Sequence, residues 1–342
     1  MAIPLRLAVL LALSFIGIQA TSAIPSSEIT SKSAQGLRLI QLGEDLEPVW
    51  KTDDEKENLI RSRTRFFDIQ AAEISYGEPA HHATVKSAIA DISVKNMQAN
   101  LGTLTKFHNR WYKSSTGAAA SKWILKTVKA IAAGKPGVTA YAFTHPWAQS
   151  STIVRFAGKN KAGPITIISA HMDSVGIDDK VDIMAARAPG ADDDGSGTVN
   201  LLEAFRVLVR AGFHPANPVE FHWYSGEEAG MLGSLAIAAK YKSEGIHVKG
   251  DLHLDMTAFT PPGTPPVAAL ITDDTNPALT DFVAKLVRTY TNLGVARSEC
   301  GYACSDHTIH TKHDTTNAPG FSWPHTLEFT KLAVAFAYEM AT

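Results

Sequence analysis

The chain has 342 residues, 45% of them hydrophobic and 19% charged, enough for a sizeable core and ordinary for a globular protein. Its 32 Lys and Arg nearly balance 34 Asp and Glu, leaving a formal net charge of −2. That balance excludes the strongly basic surface expected of a nucleic-acid or anionic-membrane binder.

The first residues, MAIPLRLAVLLALSFIGIQATSA, carry one Arg, an apolar core from Leu7 to Ile18 and small residues at Ala20 and Ala23. That order is the pattern of a secretory signal peptide, expected over 1–20, and its apolar run is short for a membrane span. Residues 21–80 are charged and weakly periodic, with acidic residues in excess, and YGEP, ending at Pro79, reads as a linker. A removable pro-segment and an integral N-terminal lobe both fit that composition.

A further domain is expected over 81–342. It opens with amphipathic helices in ATVKSAIADISVKNMQANLGTLTKFHNRWY and ASKWILKTVKAIAA. VTAYAF, STIVRF and PITIISA are apolar, β-branched runs that suit strands. GTVNLLEAFRVLVRAG then reads as a helix, PVEFHWYS as a strand and MLGSLAIAAKYKSEG as a helix. HVKGDLHLDM and VAALIT read as strands, and PALTDFVAKLVRTYTN as a helix. Alternating strands and helices predict an α/β fold: one compact domain with a mostly parallel central sheet flanked by helices.

The chemistry gathers where these strands end. PITIISAHMDS closes with His171 and Asp173, EFHWYSGEEAG with Glu227 and Glu228, and DLHLDM with Asp255. APGADDDGSG, a glycine-bounded loop entering a helix, carries Asp192, Asp193 and Asp194. Ligands of open α/β sheets bind at the carboxyl ends of strands, so the three strand ends are expected to converge on one rim with the DDD loop beside them. Carboxylates crowded there repel one another, and a divalent cation removes the conflict. Mixed imidazole and carboxylate ligands suit Zn²⁺, and a shared carboxylate allows two ions about 3.5–4 Å apart. Of the Glu227–Glu228 pair, one can ligate while the other acts as general base. In a secreted chain the C-x3-C spacing of Cys300 and Cys304 favours a small disulfide loop, with two free thiols or two metal ligands as the alternatives.

AHMDS, APGADDDGSG, GEE, LDMT and CGYACSDH, in that order, resemble the zinc aminopeptidases of the M28 family, especially the secreted leucine-aminopeptidase branch of fungi and marine bacteria. The resemblance runs from about Ala83 onward and favours the reading of 21–80 as a propeptide. It implies that Asp193 bridges two Zn²⁺ and that the Asp193–Asp194 bond is cis. His171 and Asp255 complete one ion, while Glu228 and His310 complete the other. Glu227 is then the general base, Asp173 orients His171, and Tyr302 hydrogen-bonds the developing oxyanion. Met256, Ile271 and Ile309 resemble residues of the substrate pocket. His310 is the ligand ahead of His307 and His313 because IHTKHD matches the family's I-H-T-x-x-D, which places Asp314 at the motif's aspartate. The substrate implied is a peptide with a free N-terminus, with leucine and other large apolar residues preferred. A secreted monomer is expected, without nucleic-acid or membrane partners.

The chain departs from the family in one place. There a helix, a strand and a loop separate SDH from IHT, whereas Thr308 and Ile309 alone separate His307 from His310 here. At no more than about 3.6 Å per residue, that link cannot follow the same path. Reduced zinc at the second site, a depleted apolar pocket and poor stability are expected of the chain as written. Two other readings stand beside the aminopeptidase. One is a related two-zinc carboxypeptidase or dipeptidase, against which CGYAC and GADDDGSG argue. The other is a catalytically impaired homologue, towards which the short link points.

Overall fold

The computed structural model describes residues 76–176, 181–273, 275–299 and 312–341, with short stretches between 31 and 55. The expected signal peptide and most of 21–75 lie outside the described residues. The chain divides into two compact units, Met1–Lys56 and Glu57–Thr342. In the first, strands β1 (Leu37–Ile40) and β2 (Val49–Thr52) pair antiparallel, Ile40 opposite Val49. The Glu55 N–H donates to Thr52 Oγ1 at 3.2 Å and the Thr52 N–H to Glu55 Oε2 at 3.0 Å. The two residues thus hydrogen-bond to each other reciprocally.

The second unit begins with helices α1 (His82–Ile89), α2 (Val94–Leu104) and α3 (Ser115–Ala132). Ser93 and Ser114 cap α2 and α3 by accepting from the N–H of Asn96 and Gly117. The strands that follow are β3 (Val138–Phe143), β4 (Ser151–Phe156), β5 (Ile165–His171), β6 (Val219–Tyr224) and β7 (Val248–His253). They form one five-stranded sheet in the order β3-β4-β6-β5-β7. The sheet is mixed. β3–β4 and β4–β6 run antiparallel, whereas β5 lies parallel to both β6 and β7.

Period-2 alternation along β6 divides its side chains between two layers. Val219, Phe221 and Trp223 enter the main core, while Tyr224 joins Ile165 and Ile167 against Ile237 and Tyr241 of α5 (Leu232–Ser243). The main core is filled by α4 (Gly195–Arg210) and α7 (Trp323–Ala341), both buried along most of their lengths. β8 (Val267–Ile271) and β9 (Gly294–Ser298) form a separate two-stranded parallel sheet joined through α6 (Pro277–Tyr290). Sequence pattern alone did not mark β9 or α7. GVARS is short and carries a charge, and WPHTLEFTKLAVAFAYEMA is buried nearly all round, so it lacks the one-sided stripe that reveals a surface helix. No described helix is long and apolar enough to cross a membrane.

Parallel pairing sets up the site. Because β5, β6 and β7 point the same way, their carboxyl ends open onto one edge. His171 is the last residue of β5, Glu227 and Glu228 follow β6 by a short turn, and Asp255 lies two residues beyond β7.

Candidate metal centre

His171, Asp193 and Asp255 converge at that edge, each offering one ligand atom within 4.8 Å of the others. His171 Nε2 lies 3.0 Å from Asp193 Oδ1 and 3.6 Å from Asp255 Oδ1. These separations bracket the edge of a tetrahedron with bonds of about 2.0–2.1 Å, roughly 3.3–3.4 Å. His171 is fully buried, and neither ring nitrogen has a hydrogen-bond partner of good geometry among the described residues. A buried imidazole ringed by carboxylates without hydrogen bonds to them fits a divalent cation.

The ligand-bearing segments are held from several sides. Asp194 caps α4 by accepting from the Gly197 N–H at 2.8 Å, and its other oxygen accepts from the His171 N–H at 3.1 Å. A side chain at Gly197 would meet the Leu254 carbonyl at 2.3 Å, so this helix start can approach the β7 extension only without one. The Asp193–Asp194 peptide is cis. Asp173 lies 3.6 Å from His171 Nδ1, and its two oxygens accept from the N–H groups of Glu227 and Glu228 at 3.1 and 3.2 Å. Asp173 therefore grips the Glu-Glu turn as well as facing the imidazole. Glu228 Oε1 accepts from the Val175 N–H at 3.2 Å. Glu227, with 23% of its side chain open, stands 3.9 Å from His171 Nε2.

Asp314 is where IHTKHD ends, and its carboxylate accepts from the N–H groups of Asp192 and Asp193 at 2.9 and 3.0 Å. Asp192 in turn accepts from Ser196 Oγ at 2.9 Å and the Ala258 N–H at 2.8 Å, tying the DDD loop to the segment carrying Asp255. Met256 follows Asp255 with a left-handed backbone, φ 47°, and Ile271 ends β8. Tyr302, Ile309, His310, Cys300 and Cys304 lie outside the described residues.

Sequence reasoning missed two features. One is Arg110, from FHNRWY, which offered no signal because its partners lie 62 to 80 residues away. The other is a ring of contacts beneath the Glu-Glu turn. There Ser151 Oγ accepts from the Ser225 N–H at 3.1 Å and meets His145 Nε2 at 2.7 Å. His145 stacks on Trp147, whose indole N–H donates to Ser225 Oγ at 2.9 Å.

Without a cation the cluster is electrostatically stressed. Burial opposes a charged His171, but Asp255, Asp173 and Asp193 outweigh it and hold the imidazole pKa well above its usual value. Burial also raises Asp255, yet His171 prevails and keeps it low. Burial, reinforced by neighbouring carboxylates, raises Asp194 and Glu228 well above the ordinary range and pushes Glu227 to about 7. Burial likewise takes Asp192 to about 7 and Asp314 to about 6.

These directions fix a pH dependence. Unfolded carboxyls titrate near about 4, so the folded metal-free chain retains protons that the unfolded chain has released, and stability falls as pH rises. The raised His171 acts in the same sense. His145, which burial lowers to about 4, and His253, also lowered by burial, act oppositely, but only below their unfolded value of about 6.5. In excess chelator the Tm should therefore be lower at pH 8 than at pH 5: Asp314, Asp192 and Glu227 contribute a fall that is complete by about pH 6 to 7, and Asp194, Glu228 and His171 continue it above. A Tm that is flat or rising over that interval would contradict these shifts.

A sequence model of Peptidase family M28 matches residues 151–331. Leucine aminopeptidase 1 of Phaeosphaeria nodorum is 38% identical, with the alignment covering 85% of this chain and 86% of that protein. Leucine aminopeptidase 1 of Pyrenophora teres f. teres is 35% identical, covering 99% and 97%. That alignment has 386 positions against 342 residues here, so the relative carries residues that this chain lacks. Among solved structures, the LapA aminopeptidase of Legionella pneumophila superposes with a TM-score of 0.72 at 25% identity, covering 91% of this chain and 96% of that one.

Proposed function

This chain belongs to peptidase family M28, and from that premise we propose that it is a secreted two-zinc aminopeptidase. Its substrates in this reading are peptides with a free N-terminus, with leucine and other large apolar residues preferred. The observation that carries the proposal is the meeting of His171, Asp193 and Asp255 at one edge, with Glu227 just outside them.

In this reading His171 and Asp255 would hold one zinc and Glu228 and His310 the other, with Asp193 serving both. Bound zinc polarises a carbonyl and acidifies water at neutral pH. Glu227 Oε2 accepts the proton of the attacking water and passes it to the departing amine. Asp173 keeps that carboxylate in place through the Glu227 and Glu228 N–H groups. The Tyr302 hydroxyl, within a Cys300–Cys304 disulfide loop, donates to the developing oxyanion. Met256, Ile271 and Ile309 line the side-chain pocket. Residues 1–20 serve as signal peptide, and 21–80 as a removable propeptide ahead of the catalytic domain, 81–342.

One observation favours a second reading. The Pyrenophora teres alignment is longer than this chain, in keeping with the two-residue link between His307 and His310. An impaired homologue would then bind metal at His171–Asp193–Asp255 without turnover. Zinc content per processed chain, measured alongside hydrolysis of leucyl peptides with free and acetylated N-termini, separates the readings. Two zincs with cleavage of the free-amine peptide alone would support the aminopeptidase. Cleavage of the acetylated peptide would point to a carboxypeptidase, and a folded chain with one zinc or none and no cleavage would point to the impaired homologue.

A further inference from the structure

Arg110 is 1% exposed, among the largest fully buried side chains of the described residues. All its polar groups are engaged. Nε donates to the Met172 carbonyl at 2.7 Å, Nη1 to Pro189 at 2.6 Å and Nη2 to Gly190 at 2.9 Å. Its backbone N–H donates to Ser174 Oγ at 3.0 Å, and that hydroxyl donates to the Ala188 carbonyl at 3.0 Å. Its own carbonyl accepts from Gln149 Nε2 at 3.0 Å.

The side-chain acceptors belong to two segments. Met172 follows the candidate ligand His171, while Pro189 and Gly190 lead into the loop bearing Asp193. One planar guanidinium therefore bridges the two stretches of backbone that carry two of the three converging ligands. Its fixed fork matches that task, whereas an ammonium on a flexible stem does not. The loop also fits closely around it: a side chain at Gly190, φ +53°, would lie 2.6 Å from Arg110 Nη2. The side-chain acceptors are neutral carbonyls, and a buried cation usually has a carboxylate partner. Burial lowers the Arg110 pKa, and the carboxylates of Asp314, Asp193, Asp194 and Asp173 oppose that fall through space.

We propose that Arg110 is a positioning residue of the metal centre, clamping the His171 and Asp193 segments at ligating separation before metal arrives. The proposal rests on the reading of His171, Asp193 and Asp255 as ligands. Groups that orient metal ligands from behind typically contribute about 10- to 100-fold in affinity.

The test is the zinc dissociation constant of the full chain, measured by competition with a chromophoric chelator, for the wild type, Arg110→Lys and Ser174→Ala. The Tm of each metal-free protein is recorded in parallel. Arg110→Lys keeps the charge but cannot reach three diverging carbonyls, and is expected to bind zinc about 10- to 100-fold more weakly. Ser174→Ala loosens the clamp from behind and should weaken binding in the same direction by a smaller factor. Folded Arg110→Lys with unchanged or tighter zinc binding overturns the proposal, and should that variant not fold, unchanged binding by Ser174→Ala does so. A wild-type chain that takes up no zinc overturns the metal-centre reading itself, and the clamp with it.

Discussion

Glu227→Gln is expected to lower kcat by about 10²- to 10⁴-fold while zinc content stays at its wild-type value. The substitution is nearly isosteric, and the backbone N–H that anchors the turn to Asp173 is untouched. In the proposed assignment Glu228 is the ligand and Glu227 the base, so no metal bond is lost. What disappears is an oxygen able to take up a proton beside the cluster. Burial has already pushed that carboxyl to about 7 in the metal-free chain, so its environment raises its proton affinity. The measurement is kcat and KM on a leucyl peptide with metal analysis of the same samples. Equal turnover by the Gln variant would remove Glu227 from the chemistry, and a loss of zinc would recast it as a ligand.

The second large effect combines two readouts of opposite sign. Asp193→Asn should lower zinc affinity by more than about 100-fold, beyond the loss typical of groups that merely support a ligand, and hydrolysis should fall with it. The same variant, freed of metal, should be at least as stable as the metal-free wild type at pH 8. Asp193 is a repulsive neighbour of Asp192, Asp194, Glu227, Glu228, Asp255 and Asp314. Neutralising it removes like-charge repulsion from a buried site, at the cost of one of several carboxylates around His171. Thermal unfolding in chelator, compared with unfolding in zinc, tests both halves. A variant equally destabilised with and without metal would make Asp193 an ordinary structural aspartate.

Some of the fold was legible because its signals are local. GTVNLLEAFRVLVRAG reads as a helix and forms one over Gly195–Arg210, and EFHWY lies within strand Val219–Tyr224. Apolar spacing within a dozen residues suffices for such elements. The sheet's antiparallel side was less legible, because VTAYAF and STIVRF look alike whichever direction they pair. For α7, burial on nearly all sides erased the periodicity that would have announced it.

The candidate site divides in the same way. By itself the sequence determined which side chains end the parallel strands, since a β run that breaks into His-x-Asp, Glu-Glu or Asp shows its polar terminus directly. That placed His171 and Asp255 on one rim with the loop bearing Asp193 beside it, and the structure brings the three together. Only the tertiary structure decided what holds them there. The Asp314 carboxylate reaches back 122 residues to the Asp192 N–H, and Arg110 reaches forward to Met172, Pro189 and Gly190. A lone Asp or Arg has no periodicity and no local partner. Its role is set by which backbone groups lose water beside it, and that depends on chain segments far apart in sequence that folding buries together.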